Sequence, residues 1–249
     1  FSSRFVLVCA FLITFNFLDF FGLCRGYGIS LGFMLLGLSF LHDYYVNKKY
    51  LTLLLFSLSW QLALAANLTL VLPLLVLLFA TSVFQLGQRF FFRLQNLLLL
   101  FANLYLLRKW IKFAFYYKER GLLDSGSAHD YWGTSFKSLM SLIYGTEGIL
   151  IQLLFVALAG AALFLALKFL YNSGLNLRAV FDPAVFYLGI FMMLVLAFYL
   201  QHLFLDVNFP ENRTCLFFYV FYALAMVFFI DRLPSPGARV LAGAFSFYS

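Results

Sequence analysis

Arg25 and Arg213 are the residues of this 249-residue chain whose setting most invites chemistry. A guanidinium offers a planar fork of donors that matches a phosphate or carboxylate, and an ionisable group beside an apolar run commonly marks a ligand, an ion path or a partner. Arg25 heads the sequence Arg-Gly-Tyr-Gly, in which Gly26 and Gly28 free the backbone for a close turn at a helix start, where amide N–H groups can hold an anion. Asp19 precedes Arg25 by six residues, a spacing that keeps the two off one helical face. Interfacial snorkelling is the simpler role for Arg25. Arg213 ends the connection Pro210–Glu211–Asn212–Arg213, which leads into another apolar run. Pro and Glu suit the first turn of a helix, but a cation there opposes the helix dipole. An anionic partner would resolve that conflict.

A third polar stretch carries Lys118, Glu119, Arg120, Asp124, His129, Asp130, Trp132 and Lys137. His129 and Asp130 together could serve acid–base or metal chemistry. One His beside one Asp is not a specific ligand set, and a solvated loop is the plainer reading. Tyr131 and Trp132 suit an interfacial aromatic belt as well as a platform for stacking a sugar. His42 and His202 stand alone at the ends of apolar runs and read as structural. Cys9, Cys24 and Cys215 are isolated, with no metal or redox spacing, and read as packing residues. Asn67-Leu-Thr and Asn212-Arg-Thr match the glycosylation sequon but fall in short turns at the membrane edge, which argues against modification. No P-loop, HExxH, GxSxG or paired-Cys motif occurs.

The elements that must position these residues are set by composition. Hydrophobic residues make up 64% of the chain and charged residues 11%, with a mean hydropathy of +0.95. Typical soluble domains are about 45–50% apolar and about 25% charged. Lipid is therefore the expected solvent, and the fold class is an all-α polytopic bundle. The net charge of +7 does not indicate a nucleic-acid partner, because the cations are scattered at span ends. Apolar runs of about 17–25 residues predict about eight spans, at roughly 5–23, 28–46, 50–66, 68–85, 94–116, 148–171, 184–204 and 214–231. The third and fourth could be one broken helix. Lys48 and Lys49 before the pair and Arg89 and Arg93 after it favour two, since clusters on the same cytoplasmic side need an even number of spans between them.

Alternation then puts Arg4, Lys48, Lys49, Arg89, Arg93, Lys168, Arg178, Arg232 and Arg239 on the cytoplasmic side. Arg25, the basic stretch Arg108–Lys112, an outer loop of about 117–147 and Arg213 fall on the other. The three polar segments thus share one face. The chain opens on Phe1 within an apolar run and ends in ARVLAGAFSFYS, so a single transmembrane domain within a fragment of a longer protein is expected.

The stretch NFLDFFGLCRGYGISLGFMLLGLSFLHDYY resembles a segment of bacterial GT-C-type membrane glycosyltransferases, relatives of the protein mannosyltransferases, in which an Arg-x-Tyr pair opens a Leu-rich span. Arg25 and Tyr27 hold those positions. FPENRTCLFFYVFYALAMVFF resembles a second element of that family, an Asp/Glu/Asn-Arg-Thr turn before an aromatic span, matched by Asn212, Arg213 and Thr214. HDYWGTSFKSL is similar to an aromatic loop of some members. The resemblance covers most of the chain in order, through short motifs. It implies a GT-C-like fold in a bacterial inner membrane and transfer of a sugar from a polyprenyl-phosphate donor to a glycan, lipid or protein acceptor on the extracytoplasmic face.

On that resemblance Arg25, Tyr27 and Arg213 bind the donor phosphate, with Glu211, His129, Asp130 and Trp132 as outer contacts. A divalent cation is compatible with such chemistry, although no cofactor or metal signature is present. The family's catalytic acid lies in an outer loop upstream of the Arg-x-Tyr span, and neither Asp19 nor Asp130 occupies that position. The catalytic residue is therefore expected outside this chain. Two other classes compete: a transporter or flippase for a lipid-linked anion, which predicts charges deep in spans and repeated halves with broken helices, and a non-catalytic membrane scaffold.

Overall fold

The computed structural model describes residues 26–88, 92–120, 132–144, 148–174, 177–205, 208–210 and 215–230. Those residues are overwhelmingly helical, with one isolated bridge position at Phe209 and no strand among them. The chain divides into two compact units. One comprises Cys24–Gly126 with Leu200–Asn208; the other comprises Ser127–Tyr199 and Phe209–Ser249 together with Phe1–Leu23.

The first unit alternates in direction. Helix α1 (Gly26–Asn47) stops where Lys48 adopts the left-handed conformation at φ 57° and donates its N–H to Tyr44 O at 2.7 Å. That single turn closes the helix C-terminus. Lys49 is extended and starts α2 (Tyr50–Ala66). At the far end of α2, Asn67 is also extended, and its Oδ1 accepts from Thr69 N at 3.1 Å and from Thr69 Oγ1 at 2.8 Å. This side-chain turn accounts for the Asn67-Leu-Thr triplet and launches a short 3-10 turn (Leu68–Leu70) into α3 (Val71–Gly87). Two helices, and not one broken span, therefore occupy 50–87. Helix α4 (Leu94–Glu119) follows.

Close approach locks α1 onto α2. A Cβ added at Gly37 would lie 2.5 Å from Trp60 Cδ1, and one at Gly26 would lie 2.6 Å from the Ala66 carbonyl oxygen. Small residues that let backbones approach are what holds helices together in lipid, where the hydrophobic effect between them is lost. Helix α1 runs parallel to α3. Tyr44 Oη accepts from Gln85 Nε2 at 3.1 Å, Tyr45 and Thr81 hydroxyls meet at 3.2 Å, and Lys48 Nζ donates to Gln88 Oε1 at 3.2 Å. The Lys48 and Gln88 ends thus lie together, opposite the end formed by Gly26 and Ala66.

Helix α4 is inside-out by the standards of water. It buries Asn96 (5% exposed) and Asn103 (2%) while exposing Leu98 (59%) and Phe101 (65%). Its buried amide is fully engaged: Asn103 Nδ2 donates to Ser57 Oγ at 3.0 Å and to Leu99 O at 2.8 Å, and its Oδ1 accepts from Gln61 Nε2 at 3.1 Å. Trp110 Nε1 donates to Gln61 Oε1 at 2.9 Å. Polar groups turned toward a neighbouring helix and leucines turned outward are the pattern a hydrocarbon solvent selects.

In the second unit a π-helical turn (Trp132–Phe136) continues into α5 (Lys137–Tyr144), followed by α6 (Ile149–Asn172), α7 (Leu177–Val180), α8 (Pro183–Leu205, of which the residues up to Tyr199 belong to this unit) and α9 (Leu216–Ile230). The stretch 117–147, expected as an outer loop, thus includes the last turn of α4 and a helix that buries Leu139 and Met140 against its own unit. Helix α9 is the centre, buried on almost every side. Tyr222 stacks on Phe155 of α6 with ring centroids 4.0 Å apart, Phe217 stacks on Phe198 of α8 at 5.4 Å, and Phe228 on Tyr187 at 5.5 Å. Such offset stacks each add about 0.5–1.5 kcal/mol beyond burial.

Among the described residues four helices are long and apolar enough to cross a membrane: Gly26–Asn47, Leu68–Gly87, Phe155–Asn172 and Pro183–Phe204. Tyr50–Ala66 and Leu216–Phe229 are shorter apolar helices. Helix α4 misses that standard because Arg108, Lys109 and Lys112 interrupt its apolar run. The span expected at 5–23 lies outside the described residues.

Candidate functional site

The sequence-derived site residues distribute unevenly over the described structure. Arg25, His129, Asp130, Glu211 and Arg213 lie outside the described residues, as do Asp19, Asn212 and Thr214. Tyr27 belongs to the first unit and sits in the opening turn of α1, half-buried, its carbonyl accepting from Ser30 Oγ at 2.8 Å. Gly26 beside it begins α1 at a close approach to the end of α2, where a side chain would collide with the Ala66 carbonyl. A packing constraint therefore explains the first glycine of Gly-Tyr-Gly.

The second unit brings together two segments that are far apart in sequence. Ser135 Oγ donates to the carbonyl oxygen of Pro210, and Cys215 Sγ donates to the same oxygen at 2.9 Å. Ser135 belongs to the π-helical turn that starts at Trp132, two residues after Asp130 in the sequence. Pro210 and Cys215 are the residues that bracket Glu211–Thr214. Ser135 and Cys215 are 1% and 0% exposed, so both bonds form away from water, where they are strongest. The carbonyl's two lone pairs accommodate both donors.

The Trp132 turn and the Pro210–Cys215 bracket are thereby held against each other. Thr134, in the same turn, is also buried, and its hydroxyl has no hydrogen-bond partner among the described residues. Single π-turns recur at functional positions because they re-aim side chains without breaking the helix.

No family model, curated protein or solved structure matches this chain.

Ser135, Pro210 and Cys215 were not singled out as a group by sequence reasoning. Cys215 reads there as an apolar packing residue, and burial agrees with that, but its thiol also clamps the turn. The one available signal was the adjacency of small hydroxyl residues to Trp132 in WGTSF, which carries no information about a partner 75 residues away.

Proposed function

We propose that the chain is part of the membrane machinery of a GT-C-like glycosyltransferase that moves a sugar from a polyprenyl-phosphate donor to an acceptor on the extracytoplasmic face of a bacterial inner membrane. The observation that carries this reading is the clamp on the Pro210 carbonyl, which ties the aromatic turn at Trp132 to the segment that holds Glu211 and Arg213. In the reaction, negative charge builds on the leaving phosphate as the glycosidic bond breaks, and fixed guanidinium groups stabilise it. Arg25 and Arg213 supply these groups, Tyr27 adds a hydroxyl at the opening of α1, and Trp132 offers an aromatic face to the sugar. Glu211, His129 and Asp130 are the outer groups within the same polar segments. The remaining apolar helices complete an eight-span arrangement on this reading, with the short helices α2 and α9 as spans. The leucines that α4 turns outward are in keeping with it.

The test is binding of a polyprenyl phosphate to the purified full chain in detergent micelles. Loss of one charge-assisted contact costs about 1.5–3 kcal/mol, so Arg25→Ala and Arg213→Ala are each expected to weaken binding by about 10- to 100-fold. Lysine at either position keeps the charge but not the fork and should recover part of the loss. Unchanged affinity in both alanine variants would remove the phosphate role.

A further inference from the structure

We propose that the C-terminal half of α4 is a binding surface for anionic phospholipid headgroups, independent of the transferase reading. Tyr105, Lys109, Lys112, Tyr116 and Arg120 recur at helical spacing and fall within an arc of about 80°. The buried residues of α4, Asn96, Asn103 and Leu107, lie on the opposite side. The stripe is exposed along its length, with Tyr105 at 60% and Tyr116 at 45%. It therefore faces away from the helices that α4 packs on, and it cannot line a cavity between them.

The same face changes character along the helix. Its first three turns present Leu94, Leu98 and Phe101, all strongly exposed, and no charge. From Tyr105 onward it presents aromatic and cationic groups, in two repeats set 11 residues apart, with the exposed Glu119 at the margin of the stripe in line with Phe101. Lys109 Nζ lies 5.3 Å from the Tyr105 ring centroid, and the Arg120 guanidinium lies 4.2 Å from that of Tyr116. Tyrosine and tryptophan concentrate where hydrocarbon meets headgroups, and lysines just below that level snorkel to reach it. Leu94 to Tyr116 spans roughly 33 Å of helix, close to the hydrocarbon thickness of a bilayer of about 30 Å.

The level is fixed independently by the bond between Trp110 and Gln61. Ala66, the end of α2, is five residues beyond Gln61, so Tyr116 stands about level with the turn that ends α2 and Arg120 rises beyond it. Among the described residues no carboxylate pairs with Lys109, Lys112 or Arg120. Their charge is thus presented to the phosphate layer of the leaflet at this end. Cations at an anionic surface contribute about 1 kcal/mol each, which is about fivefold in affinity per charge.

The experiment compares lipid retained by the full chain, by native mass spectrometry, after reconstitution in nanodiscs of phosphatidylcholine with an equal share of phosphatidylglycerol. The wild-type chain is expected to retain phosphatidylglycerol preferentially. Lys109→Gln, Lys112→Gln and Arg120→Gln together should reduce that preference by about 100-fold, and the swap Lys109→Arg, Lys112→Arg and Arg120→Lys should leave it within about threefold. Lys168→Gln, an exposed cation on α6, should not alter it. Raising salt on the wild-type chain should weaken the preference and gives a readout that needs no variant. A triple-glutamine chain with undiminished preference, an equal loss in the charge-conserving swap, salt-insensitive retention, or displacement of phosphatidylglycerol by millimolar inorganic phosphate would each overturn the proposal.

Discussion

Gly37 shows how little room the α1–α2 contact leaves. A methyl group there would meet the indole of Trp60, a side chain that is itself fully buried and has nowhere to move. Overpacking of this kind costs about 1–3 kcal/mol. Gly160, on α6, has nothing within 4 Å of its added Cβ, and alanine is the better helix former by about 1 kcal/mol. Gly37→Ala is therefore expected to lower thermal stability in detergent while Gly160→Ala leaves it unchanged or raises it. Equal effects at the two positions would mean that the Trp60 contact is not tight. At the same scale, sequence reasoning about Gly26 and Tyr27 looked for a ligand, whereas the glycine answers first to the neighbouring Ala66 carbonyl. A motif of two glycines cannot tell a backbone that approaches a ligand from one that approaches another helix.

The elements were largely legible from apolar run length. The runs at 28–46, 50–66, 94–116 and 184–204 correspond to Gly26–Asn47, Tyr50–Ala66, Leu94–Glu119 and Pro183–Leu205. Lipid forces every backbone group in such a run to bond within it, so run length and helix length coincide. Pairing between helices was not legible, because it depends on single polar atoms. Asn103 is the clearest instance: in sequence it is one amide among leucines, and in the fold it joins Ser57, Gln61 and, through Gln61, Trp110. Hydrogen bonds between membrane helices average about 0.6 kcal/mol and reach about 1.7. Asn103→Leu removes two of them and leaves Gln61 without an acceptor for its amide, so a loss of about 1–2 kcal/mol is expected by unfolding in mixed micelles. A gain in stability would mean that α4 is held by its leucines and not by this network. The helix from Lys137 to Tyr144 was missed for a different reason. Eight residues are too few for an apolar run to stand out from the polar stretch before it.

At the scale of the whole molecule the described residues of the two units are helical, and four helices among them are able to cross a membrane. In the first unit the Lys48 and Gln88 ends coincide and the Gly26 and Ala66 ends coincide, at opposite ends of its helices. In the second, the Pro210 carbonyl gathers the Trp132 turn and the bracket of Glu211–Thr214. A single polar face that presents Arg25, Asp130 and Arg213 to the same compartment is the claim on which the proposed chemistry depends. It is tested most directly by single cysteines at 25, 48, 93, 130 and 213, placed in a chain whose native Cys9, Cys24 and Cys215 are replaced, and treated in intact cells with a membrane-impermeant maleimide. Labelling at 25, 130 and 213 but not at 48 or 93 is the predicted result; protection of any of the first three together with labelling at 48 would contradict it.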